Sequence, residues 1–141
     1  MTKPVVIDAS AVAPWLIPDE RTPVSDQLYA DVIASDGIYR APALWLWETS
    51  NILLVAHRRG RVGAEGLQAG MAVLSACPVD MDTLPDAHRR DQTMRLAEVH
   101  ELSYYDAAYL ELALRLNGQL ASTDRRLVSA AKSCGISCLD L

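Results

Sequence analysis

Val5-Val6-Ile7-Asp8-Ala9-Ser10 decides the fold class of this 141-residue chain. Three consecutive β-branched apolar residues, with no polar alternation, predict a short strand buried on both faces, as a parallel sheet requires. An aspartate closes the run and small residues follow it. A second stretch near the other end, Gln119-Leu120-Ala121-Ser122-Thr123-Asp124, has the same design, again ending on an aspartate.

Working outward, Ser10-Ala11-Val12-Ala13 opens a helix, and Pro14 and Pro18 are expected to interrupt helical continuity around Trp15-Leu16-Ile17. A helix over 24–34 with Leu28 and Val32 inward leads through Asp36-Gly37 to a strand over 38–41. The strongest helical pattern covers 43–59. There Leu44, Glu48, Ile52 and Val55 fall on one stripe and Gly60 supplies the stop. Further helices are expected over 63–76, with Leu67, Met71 and Leu74 inward, and over 84–100, carrying Met94, Leu96 and Val99. A weak strand signal lies between them at 77–81. Another helix, 103–116, ends at Asn117-Gly118, with Glu111 and Arg115 set for a surface ion pair. A strand at 119–122, a helix at 124–133 and a strand at 136–139 complete the pattern. Short strands alternating with helices predict a three-layer α/β/α sandwich around a mainly parallel sheet of four to five strands, joined by right-handed crossovers. One domain over residues 1–141 is expected, long enough to bury about 68–70% of its unfolded surface.

Composition narrows the function. Hydrophobic residues make up 50% and charged residues 22%, ordinary globular usage. No apolar stretch reaches the length of a membrane span and no secretory or transit signal is visible, so a cytoplasmic protein is expected. Cys77, Cys134 and Cys138 form no Cys-x-x-Cys pair and His57, His88 and His100 are scattered, which favours reduced structural thiols over a zinc site. A net charge of −5 argues against non-specific binding to duplex DNA. It does not exclude a nucleic-acid substrate, since cations bound at an acidic site reverse the local sign. Basic residues cluster at Arg58, Arg59 and Arg61, at Arg89 and Arg90, and at Arg125 and Arg126 directly after Asp124. The first pair precedes Gly60 and reads equally well as helix C-terminal charge.

Four acids stand where catalysis can use them. Asp8 and Asp124 lie at the carboxyl ends of predicted strands, where open parallel sheets bind ligands if the strand order reverses there. Glu48 and Asp106 interrupt apolar helices, Asp106 sharing a face with Tyr109, Leu110 and Ala113. Each has a plainer explanation: Asp124 as a helix cap, Asp8 in a local turn, Asp106 in a capping box begun by Ser103, Glu48 beside an arginine. Buried carboxylates are costly unless a positive partner meets them, and for four that converge a divalent cation is the simplest partner.

The joint pattern resembles the PIN-domain ribonucleases, and within them the VapC-type toxins of toxin–antitoxin pairs. The blocks that carry the resemblance are Val5-Val6-Ile7-Asp8-Ala9-Ser10, Ala41-Pro42-Ala43-Leu44-Trp45-Leu46-Trp47-Glu48-Thr49-Ser50-Asn51-Ile52-Leu53, Leu102-Ser103-Tyr104-Tyr105-Asp106-Ala107-Ala108-Tyr109-Leu110-Glu111-Leu112-Ala113 and Ser122-Thr123-Asp124-Arg125-Arg126-Leu127. They occur in the family's order and at fitting separations. The resemblance implies a metal-binding, catalytic quartet of Asp8, Glu48, Asp106 and Asp124, with Ser10 and Ser122 in support. It implies one or two Mg²⁺ or Mn²⁺ ions per site, hydrolysis of RNA, a homodimer and a small antitoxin partner. Arg125 and Arg126 stand where some members carry a further acid, which leaves the number of metal ions open; they are also candidate RNA contacts, with Arg89 or Arg90 behind them. Trp15, Trp45 and Trp47 read as core, interface or base-stacking residues.

Rival readings are a housekeeping RNA-processing nuclease and a non-catalytic PIN-like module that binds RNA or protein. A dehalogenase-type phosphatase would need a second acid at position 10, where Ser10 stands, and a phosphoacceptor domain would need paired acids after the first strand.

Overall fold

In the computed structural model, which describes residues 2–141, the opening run forms β1 (Val5–Ile7), buried along its length as its unbroken apolar pattern requires. With β2 (Tyr39–Ala41), β3 (Asp80–Met81) and β4 (Gln119–Ala121) it makes an all-parallel sheet in the order β3-β2-β1-β4. Seven helices surround it: α1 (Ala9–Leu16), α2 (Pro23–Ile33), α3 (Leu44–Arg58), α4 (Ala64–Ala76), α5 (Ala87–His100), α6 (Tyr104–Leu116) and α7 (Arg125–Ser133). The chain steps from β1 to β2 to β3 in one direction, then returns across the sheet to β4. Right-handed crossovers therefore put α1 to α4 on one face and α5 and α6 on the other. The packing agrees, with α1 against α2, α3 and α4, and α6 against α5, α7 and β1. The strand order reverses between β1 and β4, so the crevice for a ligand opens there.

Several expectations need correction. Pro14 lies inside α1 instead of ending it; its missing N–H frees only the Ser10 carbonyl, and the helix closes a turn later before Pro18. The third strand is two residues long, because Pro78 has no N–H to give a ladder. The predicted strand at 136–139 reduces to a bridge between Leu120 and Cys138 on the outer edge of β4. α5 starts at Ala87 and not at 84, since Asp86 caps it by accepting from the Arg89 amide. Met71, expected inward, is exposed, and so are Met94 and Val99, the apolar residues expected on α5. The buried face of α5 centres instead on Thr93, against α6.

The largest correction concerns α3. Its fully buried stripe is Trp45, Thr49, Leu53 and Ala56, one position along from the predicted one. The Thr49 hydroxyl donates to the Trp45 carbonyl at 2.7 Å, which makes the burial tolerable. Glu48 consequently sits at the edge of the buried stripe, not in its middle.

Glu111 and Arg115 pair as expected, at 2.8 Å, but not on the surface. Glu111 is buried, and Arg115 also reaches Asp82 at 2.6 Å, while Arg89 contacts the same Asp82 carboxylate. Two acids and two arginines thus tie the end of β3 to α5 and α6. Arg89 is engaged here and is not a free phosphate contact.

Candidate active site

All four acids lie over the carboxyl edge of the sheet, for a topological reason. Helices that follow parallel strands run back antiparallel to them, so they begin at the carboxyl edge. Asp8 follows β1 and Asp124 follows β4, Glu48 is in the second turn of α3 after β2, and Asp106 is in the first turn of α6. The register pairs Ile7 with Ala121, which sets Asp8 beside Ser122 across the strand-order reversal.

Asp8 is 4% exposed and tightly held. The Ser10 hydroxyl donates to its Oδ1 at 2.6 Å and the Ser122 hydroxyl to its Oδ2 at 2.9 Å. The Ala11 amide adds a third contact at 3.3 Å, so Asp8 also caps α1. The two hydroxyls take their own backbone donors, Thr123 N–H to Ser10 and Asp124 N–H to Ser122, each at 3.0 Å. Burial nevertheless pushes the Asp8 carboxyl up from 3.8 to about 6, against those hydrogen bonds and with help from the nearby charge of Asp124.

Glu48 accepts a hydrogen bond at 2.5 Å from the Tyr109 hydroxyl. Its carboxyl is raised, first by burial and then by the Asp106 charge. Tyr109 is 1% exposed, and burial together with Glu48 keeps its hydroxyl protonated, a permanent donor. Asp106 is raised by burial and by the Asp124 charge. Its amide donates to the Ser103 hydroxyl at 3.1 Å, so Ser103 caps α6 and leaves the Asp106 carboxylate for the cavity. Asp124 caps α7 through the Leu127 amide at 3.1 Å. The capping explanation for Asp124 therefore holds, and Asp8, expected in a local turn, caps a helix as well; both carboxylates also line the cavity.

Asp8, Ser10, Glu48, Asn51, Asp106, Tyr109 and Asp124 line one cavity of about 260 Å³. Asn51 and Tyr109 were not singled out from sequence. Their signal was present: each lies three residues after a site acid on its helix, hence on the same face. Among the described residues, no three His, Cys, Asp or Glu side chains close tightly enough to enclose an ion by themselves. The acids form an open, oxygen-only rim in which neighbouring charges help to raise the carboxyls of Asp8, Glu48 and Asp106. Such a donor set suits Mg²⁺ or Mn²⁺, which bind a few carboxylates and retain water, and not zinc. The three cysteines are free, with Cys134 Sγ 3.3 Å from His100 Nε2, away from this cavity. Of the tryptophans, Trp45 is core, Trp15 packs edge-on against Tyr29, and Trp47 is 67% exposed. No helix among the described residues is long and apolar enough to cross a membrane.

Comparison with known proteins points the same way. The family model of the PIN domain matches residues 5–133. Ribonuclease VapC3 of Pyrobaculum aerophilum is 29% identical over 123 residues, covering 87% of this chain and 91% of that protein. The crystal structure of PAE2754 from Pyrobaculum aerophilum superposes with a TM-score of 0.71 at 26% identity, over 96% of this chain and 83% of that one. VapC20 of Mycobacterium tuberculosis, described as a sarcin–ricin loop cleaving toxin, gives a TM-score of 0.66 at 17% identity, over 89% of this chain and 94% of that one. The last likeness concerns the fold alone.

Proposed function

The chain belongs to the PIN domain family, and from that premise we propose that it is a metal-dependent endoribonuclease whose site is the cavity of Asp8, Glu48, Asp106 and Asp124. The observation that carries the proposal is the meeting of these four acids, from four separate elements, on one small cavity at the strand-order reversal. Three of them have carboxyls raised by burial and by one another. A structural cluster would be matched by arginines. This one has none among the described residues, where the arginines with acid partners are Arg21, Arg61, Arg89 and Arg115, all paired elsewhere.

Mg²⁺ or Mn²⁺ held by this rim would offset the acids' charge, lower the pKa of a water and neutralise charge on the phosphoryl oxygens. The chain's own residues do the rest. Ser10, Ser122 and the Ala11 amide fix Asp8 in one orientation. Tyr109 fixes Glu48. α1, α6 and α7 all begin at the carboxyl edge beside the cavity, so their positive dipole ends favour a phosphodiester there. Hydrolysis adds water at phosphorus and breaks the bond to the 3′ oxygen, leaving a 5′-phosphate and a 3′-hydroxyl. Arg125 and Arg126, exposed and without an acid partner among the described residues, are placed to meet flanking phosphates.

The likeness to ribonuclease VapC3 supports the ribonuclease reading, and we propose further that the chain is the toxin of a two-protein pair, a homodimer restrained by a small antitoxin and acting as one domain in the cytoplasm. The test is incubation of the purified chain with structured RNA in Mg²⁺, Mn²⁺ or EDTA. Cleavage with either ion, lost in EDTA and in Asp124→Asn, is expected, with product ends that accept ligation at the 5′-phosphate. Equal cleavage in EDTA would overturn the metal-site reading.

A further inference from the structure

The outer face of α7 belongs to no part of the site described so far. It forms one wall of a groove of about 930 Å³, lined by Ser122, Thr123, Arg125, Ser129, Lys132 and Ser133 and closed on the other side by the segment 138–141. The groove begins at the carboxylate cavity, because Ser122, which donates to Asp8, lines it too. It then follows α7 away from the carboxyl edge. Arg125 and Lys132 lie seven residues apart, about 10 Å along the helix axis, and both are exposed.

Charge along this wall runs against that of the molecule. The chain carries −5, yet α7 holds Arg125, Arg126 and Lys132 with no acid among its residues, and the acid that lines the groove, Asp140, stands on the opposite wall. Four arginines elsewhere are tied to carboxylates, whereas neither Arg125 nor Lys132 has an acid partner among the described residues. α7 buries Leu127, Ala130 and Ala131 and turns its cations and serine hydroxyls outward. Arg126 lines an adjoining groove with His100 and Glu101, which shares Arg125, Ser129 and Ser133 with this one, and does not itself contribute here.

Resting on the nuclease reading above, we propose that the α7 groove is a subsite for single-stranded RNA, in which Arg125 and Lys132 each hold one backbone phosphate on one side of the bond to be cut. The Ser129 hydroxyl supplies a neutral donor between the two cations, while the Ser133 hydroxyl, beyond Lys132, donates to the Ser129 carbonyl at 3.1 Å. Because the contacts are to phosphates, the subsite reads the strand without regard to base sequence. Its direction along α7 requires a strand that leaves the cavity extended, which a regular duplex does not provide.

The test is the salt dependence of binding to an oligouridylate of about 12 nucleotides, measured with the full chain in Ca²⁺ to slow hydrolysis. Each phosphate contact contributes about 0.7 to the slope of log affinity against log salt for single strands. Arg125→Ala and Lys132→Ala should each lower the slope by about that amount, and the double variant by about 1.4. Arg58→Ala and Arg59→Ala, at the C-terminal end of α3 on the opposite edge of the sheet, should leave it unchanged. An unchanged slope in the double variant overturns the subsite, as does Lys132-dependent binding of polyglutamate in place of RNA. The two readings fail separately: slope changes without cleavage in Mg²⁺ or Mn²⁺ would sink the nuclease and keep the groove, and cleavage with unchanged slopes would do the reverse.

Discussion

Asp8→Asn should stabilise the metal-free protein at neutral pH while removing its activity. Asp8 has a folded-state pKa of about 6 against an ordinary 3.8, because burial outweighs its three hydrogen bonds. A carboxyl raised in the folded state contributes stability when protonated and loses it as pH climbs from about 4 through 6. The difference corresponds to about 3 kcal/mol above pH 7. Asparagine stays neutral, so it escapes that loss. Its amide nitrogen must face one hydroxyl that now has to accept instead of donate, which costs about 1 kcal/mol. The variant should therefore exceed the wild type by about 2 kcal/mol at pH 7.5 in EDTA, and should match it or fall slightly below at pH 4. Urea unfolding followed by circular dichroism reads both. Destabilisation of equal size at the two pH values would refute the reasoning, since it would mean the ionised carboxylate is stabilised by its serines. Excess Mg²⁺ should erase the advantage by stabilising the wild type alone.

Tyr109→Phe removes the donor on Glu48 while keeping the ring in the core, so stability should change by no more than about 1 kcal/mol. The Mn²⁺ concentration for half-maximal cleavage should rise about tenfold; an unchanged value would show that Glu48 needs no positioning. At subsaturating Mg²⁺, cleavage rates should climb between about pH 5 and 7, as Asp8, with a metal-free pKa of about 6, sheds the proton that competes with the ion; a flat profile at subsaturating Mg²⁺ would remove Asp8 from the ligand set. Asp82→Ala leaves Arg89 and Arg115 without their shared carboxylate at the end of β3. It should cost about 3 kcal/mol in thermal unfolding with little effect on metal affinity, and a neutral outcome would mean Glu111 alone holds both arginines.

What sequence could tell depended on how unambiguous each pattern was. β1 and β4 were legible because an unbroken apolar run closed by aspartate has few other readings, but their pairing was not, since alternation of elements leaves the strand order open; the sheet supplies it. α3 was legible as a helix but not in its rotation. Leu44 to Leu54 is apolar on nearly every side, so a shift of one residue, about 100° around the axis, left two stripes almost equally apolar. Packing chose Trp45, Thr49, Leu53 and Ala56. That choice matters for the site, because it brings Glu48 to the cavity edge within reach of Tyr109. Met94 and Val99 misled for the opposite reason. α5 is mostly polar, and of its apolar residues Leu96 and Ala97 pack inward on the face of Thr93, whereas Met94 and Val99 point away from it. The Asp82 network was hidden because its members come from three elements and only Glu111 and Arg115 are close in sequence. Asp8, Glu48, Asp106 and Asp124 could be named in advance since chemistry restricts where carboxylates sit, whereas Lys132 and Ser129 gained meaning only once the groove beside α7 had a shape.

Manganese binding followed by electron paramagnetic resonance, on the wild type and on Asp8→Asn, Glu48→Gln, Asp106→Asn and Asp124→Asn, tests the site most directly. Saturable binding of one or two ions per chain, displaced by Mg²⁺ and weakened about tenfold or more by each substitution, is the predicted result. Binding that none of the four changes, or no saturable binding at pH 7.5, would contradict it.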